Sequence, residues 1–337
     1  MKHPLLHIVL ITAVFSSVYA GPARQSPLAA AETLLVKQDY AAARNIAAGY
    51  LPGGPEENYA LYLRVAIEQT ELLDYESYHF RGERFLEIAD SIRKVLEGRL
   101  PGLKGKDSTL CLFYIANVYG GMSVIKAKMG KWFPAIKGSL TSVGLLKEAV
   151  QRDSAMGAAL LGIGAFHYYL SKSFTWIPFI DENSGNRGVR EIEKATSASS
   201  PFHFAAKNTL CWILIDQKQF DRADSVALSA LEETPGSTIF LRIRCMIALW
   251  SGRYDRALEL GRKLSEVSLM REPVNWSDYV MAYYVLAGSY EGLGKVKEAR
   301  AAARHILETK IPSEFRNIPP VKKNLKRILE IQKKCLQ

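Results

Sequence analysis

The chain of 337 residues is 48% hydrophobic and 23% charged with 24 glycines and 14 prolines, which excludes a disordered or collagen-like polymer and supplies material for a large core. Lys and Arg number 44 against 34 Asp and Glu, and the net charge of +10 favours acidic partners such as anionic lipid, acidic protein or polyanionic glycan. The length fits two conventional domains or one elongated repeat array.

In chain order, the first element is a leader. Lys2 gives a minimal positive start, Leu5 to Phe15 form an apolar run, and Val18-Tyr19-Ala20 ends in the small residue that signal peptidase requires. Residues 1–20 are therefore expected to be a signal peptide cleaved after Ala20, leaving an exported chain, periplasmic or secreted, that starts at Gly21. No cysteine near the cleavage point suggests a lipid anchor, and no later apolar run reads as long and unbroken enough to span a bilayer. The cysteines, Cys111, Cys211, Cys245 and Cys335, are widely spaced and form no CxxC, so neither a zinc site nor a redox motif can be read from them. Burial as small apolar residues is their expected role, with disulfide pairing in an oxidising compartment the alternative. No cofactor or metal is expected.

Beyond the leader, apolar residues recur at three- and four-residue intervals, and no sustained alternating run with hairpin-turn signals appears. The spacing predicts an all-α chain. A short hairpin covers Leu28 to Tyr50 and ends at Pro52-Gly53-Gly54-Pro55. Helices over roughly 57–76 and 78–99 follow, broken by Pro101-Gly102, then a hairpin over 108–129 and 132–152. A fourth begins at Gly157, where Leu160, Gly162, Ile163 and Gly164 form a close-packing face, and resumes at Arg187. The long connection between its helices carries Phe174, Trp176, Ile177 and Phe179, four large hydrophobes that need a surface to cover. Folding back as a lid and presenting a patch to a partner or membrane are the two readings.

From 204 onward a period emerges. Gln219-Phe220-Asp221-Arg222-Ala223 aligns with Arg253-Tyr254-Asp255-Arg256-Ala257 at an offset of 34 residues. An aromatic at the turn fills the gap between two helices, and alanine three residues later lets the second helix approach the first. Leu210, Cys211, Ala227, Ala230 and Pro235 complete one unit, and Leu241, Ala248, Gly252, Tyr254 and Ala257 serve the next. After an insertion of eight residues a third copy uses Tyr283, Leu286, Ala287, Tyr290, Gly294, Val296, Ala299 and Ala303. Lys37-Gln38-Asp39-Tyr40-Ala41-Ala42-Ala43 repeats the same turn logic near the start.

These residues resemble the tetratricopeptide repeat family, clearly over 204–312 and more faintly upstream, with Ala227, Gly261, Ala303 and Val296 departing from its usual aromatics. The resemblance implies a right-handed α-solenoid of about seven hairpins with a C-terminal capping helix. Divergent hairpins would occupy 21–200, the repeats 201–312 and the cap 313–337. The segment from Gly162-Ile163-Gly164-Ala165-Phe166 to Ser184-Gly185-Asn186-Arg187 is also similar to the central part of the eukaryotic inclusion-clearance proteins of the mitochondrial outer membrane, which implies a shared helical-repeat scaffold.

Repeat arrays bind partners along the concave face of their first helices. The resemblance assigns that face to Tyr168, Tyr169, Asn208, Trp212, Arg242, Met246, Trp250 and Tyr284, a set rich in the residues that dominate interfaces. Space-filling between helices is their alternative role. The expected function is a non-enzymatic scaffold for a protein or peptide partner in a bacterial envelope; export disfavours nucleic acid. Two other functions compete. One is an enzyme acting on an envelope polymer, with His167 and Asp181 near the 171–187 connection. The other is peripheral binding of anionic membrane by the terminal helix, which sets Val321, Leu325, Ile328, Leu329 and Leu336 against Lys322, Lys323, Lys326, Arg327, Lys333 and Lys334.

Overall fold

The structure is a computed structural model that describes residues 27–49, 56–173, 182–197 and 202–335; the leader and the 174–181 connection lie outside these. The described residues form helices and turns without a strand. In chain order the helices are α1 (Pro27–Val36), α2 (Tyr40–Ala48), α3 (Glu57–Asp74), α4 (Tyr78–Arg99), α5 (Gly105–Lys128), α6 (Trp132–Arg152), α7 (Ala159–Ser173) and α8 (Glu182–Thr196). They continue as α9 (Phe202–Asp216), α10 (Phe220–Glu233), α11 (Thr238–Trp250), α12 (Tyr254–Met270), α13 (Trp276–Gly292), α14 (Val296–Glu308), α15 (Ser313–Arg316) and α16 (Pro319–Lys334). The predicted all-α hairpin series is what forms, and consecutive helices pair. One boundary differs. The helix expected to resume at Arg187 starts at Glu182, so Gly185 is helical, and a Cβ there would lie 2.7 Å from Ser171 Oγ on the facing helix.

Among the described residues one elbow recurs five times in full, while Glu76 before α4 shares its positive φ, at 53°, without the alanine three residues into the helix. The residue two places before the second helix has positive φ in each case: Gln38 at 64°, Gly130 at 80°, Lys218 at 59°, Gly252 at 75° and Gly294 at 69°. The next residue sits near φ −85° with ψ between 60° and 74°. Its N–H reaches back to close the first helix: Asp39 to Leu34 O, Lys131 to Lys126 O, Gln219 to Leu214 O, Arg253 to Ala248 O and Lys295 to Tyr290 O, all at 2.8–2.9 Å. This is the Schellman closure, which satisfies carbonyls that a helix end otherwise leaves open. Three residues into each second helix stands a buried alanine: Ala43, Ala135, Ala223, Ala257 and Ala299. Phe220 and Tyr254 thus begin equivalent helices at equivalent elbows.

The described residues divide into two compact units, the first drawn from residues 27–73 and 81–213 and the second from residues 74–80 and 214–335. In the first unit, α5 packs along α6 and α7 along α8. Tyr62 and Tyr114 stack with ring centroids 5.2 Å apart, and Tyr59 adds its ring 5.5 Å from Tyr114. Helices α7 and α8 touch backbone to backbone, since a Cβ on Gly164 would lie 2.6 Å from Gly188 O and one on Gly188 2.4 Å from Gly164 O. One sequence expectation is corrected here. Among the described residues α5 is long and apolar enough to cross a membrane by length and composition, and 83% of its apolar window is buried in the unit as a core helix.

In the second unit, α11 packs on α12, α12 on α13 and α13 on α14. The eight-residue insertion does not form a loop. Helix α13 has 17 residues where α11 has 13, and α12 with its connection gains the remaining turn. Helix α16 then covers α13 and α14, burying Val321, Leu325, Ile328 and Ile331 with Ala299, Ala303 and Ile306. This is the predicted cap with one revision: Leu329, assigned to the apolar side, is exposed, and Ile331 fills that side instead. Leu336 lies outside the described residues. Cys111, Cys211 and Cys245 are buried and Cys335 half-buried, none of them in a disulfide, and burial pushes the Cys111 thiol up to about 11.

Candidate interaction surface

The residues assigned to a binding face divide by burial. In the first unit, Tyr168 and Tyr169 are buried, their rings edge-on at 5.3 Å, and Tyr168 lies against Gly188 of α8. Asn208 is buried on α9, while Trp212, one turn further along, is half-buried. Tyr168 serves the contact that the glycines permit, and Tyr169 is buried beside it.

In the second unit, Arg242, Met246 and Trp250 lie at four-residue steps on α11, which sets them along one side of the helix. The burial changes sharply along that side. Met246 is core, and Arg242 is the hub of a buried ionic cluster. Its Nη2 lies 3.1 Å from Asp74 Oδ1 and its Nη1 3.0 Å from Asp278 Oδ1. Arg271 closes the other side, with Nη1 2.6 Å from Asp74 Oδ2 and its guanidinium 4.6 Å above the Tyr75 ring. Asn275 donates from Nδ2 to Asp74 O at 3.1 Å and to Asp278 Oδ2 at 3.3 Å, while its Oδ1 caps α13 by accepting from Asp278 N–H. Both carboxylates are fully buried.

Two guanidinium groups thus face two carboxylates, with Glu76 adding a further negative charge near Asp278. Burial pushes the Asp278 carboxyl up to about 7, and Arg242 pulls against it. Its Oδ1 faces Arg242 without a hydrogen bond in line, so the Coulombic attraction is present and the directional part is missing. The cluster anchors the turn after α3 to α11 and α13. Sequence reading missed Asp74, Arg271 and Asp278; the one local signal was Asn275-Trp276-Ser277-Asp278, the pattern of a helix cap.

Trp250, two turns beyond Arg242, is 42% exposed. It follows Leu249, whose side chain packs against Gly288 of α13, where a Cβ would lie 3.2 Å away. One turn before Gly288 stands Tyr284, half-buried, with the Arg327 guanidinium of α16 5.3 Å over its ring. Tyr284 therefore helps to seat the cap, while Trp250 presents its indole to solvent.

His167 does meet a carboxylate. Its Nδ1 lies 2.7 Å from Glu191 Oε2, and Arg187 Nε holds the other oxygen of Glu191 at 2.9 Å. The expected partner Asp181 lies outside the described residues, as do Phe174, Trp176, Ile177 and Phe179. Among the described residues no group of three His, Cys, Asp or Glu is placed to hold a metal ion.

Neither the protein-family models nor the curated proteins include a match to this chain. Among solved structures, the chain is similar to the crystal structure of a tetratricopeptide repeat protein from Parabacteroides merdae ATCC 43184, with a TM-score of 0.39 and 11% identity. That alignment covers 92% of this chain and 100% of the other.

Proposed function

We propose that this chain is a non-enzymatic scaffold, exported by cleavage after Ala20 to a bacterial periplasm or exterior, that binds a protein or peptide segment on the face of α11 carrying Trp250. The observation behind this reading is the change along α11: a buried ion-paired anchor at Arg242 passes into an exposed indole at Trp250. A large aromatic held on a rigid helix loses little entropy on binding and buries much apolar area with a directional N–H, which is why tryptophan dominates interface energetics. The recurring elbows supply that rigidity, and the resemblance of the residues to tetratricopeptide repeats points the same way. The mechanism is preorganised capture, in which the scaffold is already ordered and the partner segment loses its freedom.

The enzymatic alternative has the His167–Glu191 pair in its favour. Both side chains are mostly buried, and Arg187 neutralises the same carboxylate, so we read the group as a clamp between α7 and α8.

A photo-crosslinking residue placed at position 250 in the native host is expected to give one discrete adduct that the same residue at position 329 does not. Equal adducts at both positions would remove the α11 face from the account. Terminal sequencing of the purified chain is expected to begin at Gly21, and a chain that retains Met1 would overturn export by cleavage.

A further inference from the structure

The α5–α6 elbow carries a feature that the binding reading does not use. On α6, Phe133, Ile136 and Leu140 lie at three- and four-residue steps, so they share one stripe about 10 Å long. They are 89%, 37% and 55% exposed, whereas Ala135, Ser142, Val143, Leu146 and Ala149 form the buried side of the same helix. Trp132 at the elbow is half-buried over Ala127 and Ala135, which leaves Phe133 directed away from the core.

Along the sequence the charge flanking this stripe has one sign. Asp107 and Glu148 bracket a stretch with lysines at 126, 128, 131, 137 and 147 and no acid between. The neighbouring acids are Glu83 of α4, which pairs with Lys131, and Glu148, which Arg152 holds at 2.5 Å. Lys131 is thus partly neutralised, and Lys126, Lys137 and Lys147 keep the elbow basic.

We propose that this elbow docks on an anionic bilayer surface, with Phe133, Ile136 and Leu140 entering the headgroup region and the surrounding lysines over the lipid charges. An apolar stripe flanked by lysines on a helix matches that chemistry, because apolar burial and attraction to anionic lipid add. The contrast with α16 supports the location. That helix is as basic, but Val321, Leu325 and Ile328 are buried under it, and Leu329 is its one large hydrophobe exposed among the described residues. Charge without an apolar anchor gives weak surface attraction, and α6 has both.

Flotation of the full chain with vesicles tests this. Vesicles of phosphatidylcholine mixed with phosphatidylserine are expected to capture the chain at low ionic strength, less so at high salt, and vesicles of phosphatidylcholine alone to capture little. The double variant Phe133→Ser/Leu140→Ser is expected to lose about tenfold or more in vesicle affinity with unchanged Tm, and Lys137→Gln about fivefold on the anionic vesicles only. Undiminished binding by the double variant would overturn the proposal. So would absence of vesicle binding by the wild type, which leaves a protein as the occupant. A wild-type dimer that the double variant abolishes would assign the stripe to a second copy, and a fall in Tm would show that this chain covers it; either result overturns the proposal.

Discussion

The α5–α6 and α11–α12 elbows share a backbone and differ in what their aromatics meet. At Tyr254 the ring lies against Gly292 of the following hairpin, where a Cβ would sit 2.3 Å from the ring carbon Cζ. At Trp132 the ring packs on two alanines of its own hairpin, and the next residue, Phe133, stands in solvent. The comparison teaches that the turn fixes where a side chain starts and the neighbouring hairpin fixes whether it is core or surface. Trp250 makes the same point, since it occupies in α11 the position that Gly292 holds in α13, two residues before the left-handed glycine.

If the second unit is anchored through its core, the largest effect belongs to Arg242. Arg242→Ala leaves Asp74 and Asp278 buried with one guanidinium removed, and it is expected to cost about 3–5 kcal/mol in urea unfolding. A loss no larger than that of an exposed arginine would break the claim that this cluster roots α11. The same cluster gives the unit a pH signature. Because Asp278 is raised from 3.8 to about 7, the folded chain holds its proton more tightly than the unfolded one. That contribution is complete below the unfolded value and is lost as pH rises through the folded one. Asp278→Asn is therefore expected to flatten the fall in stability between those limits, read as Tm against pH.

The next effect sharpens the elbow comparison directly. Gly292→Ala drives a methyl into the Tyr254 ring and is expected to cost about 1–3 kcal/mol, as overpacking does. Phe133→Ser, at the contrasting elbow, is expected to stay within about 0.5 kcal/mol of wild type. Equal costs in the two variants would mean that both elbows are packed alike. Between these lies the turn itself: Gly252→Ala is expected to cost about 1 kcal/mol, whereas Lys218→Gly, at the same turn position with φ of 59°, relieves left-handed strain of similar size. Chemical denaturation midpoints of the two variants should move in opposite directions.

Much of the fold was legible. The offset between Phe220 and Tyr254 located two elbows, Tyr40 and Val296 located two more, and the break before Trp132 marked the fifth, because each rests on local residues: a left-handed position, a helix start and an alanine three places later. Which of the residues assigned to a binding face lie at the surface was legible only in part. Trp250 emerged exposed, but Tyr168, Tyr169 and Met246 went into the core and Arg242 into an ion cluster. Helical spacing shows which residues share a side and carries no information on what covers it.

The sequence by itself therefore determined the helices, their elbows and their alanine seams, since those follow from propensities and steric limits acting over a few residues. Tertiary structure alone decided that Asp74 would meet Arg242, Arg271 and Asn275, partners 168, 197 and 201 residues away along the chain. It also decided that Phe133 would remain uncovered while Tyr254 found Gly292. Burial and charge pairing depend on which surfaces meet, and that is a property of the packed chain rather than of any segment within it.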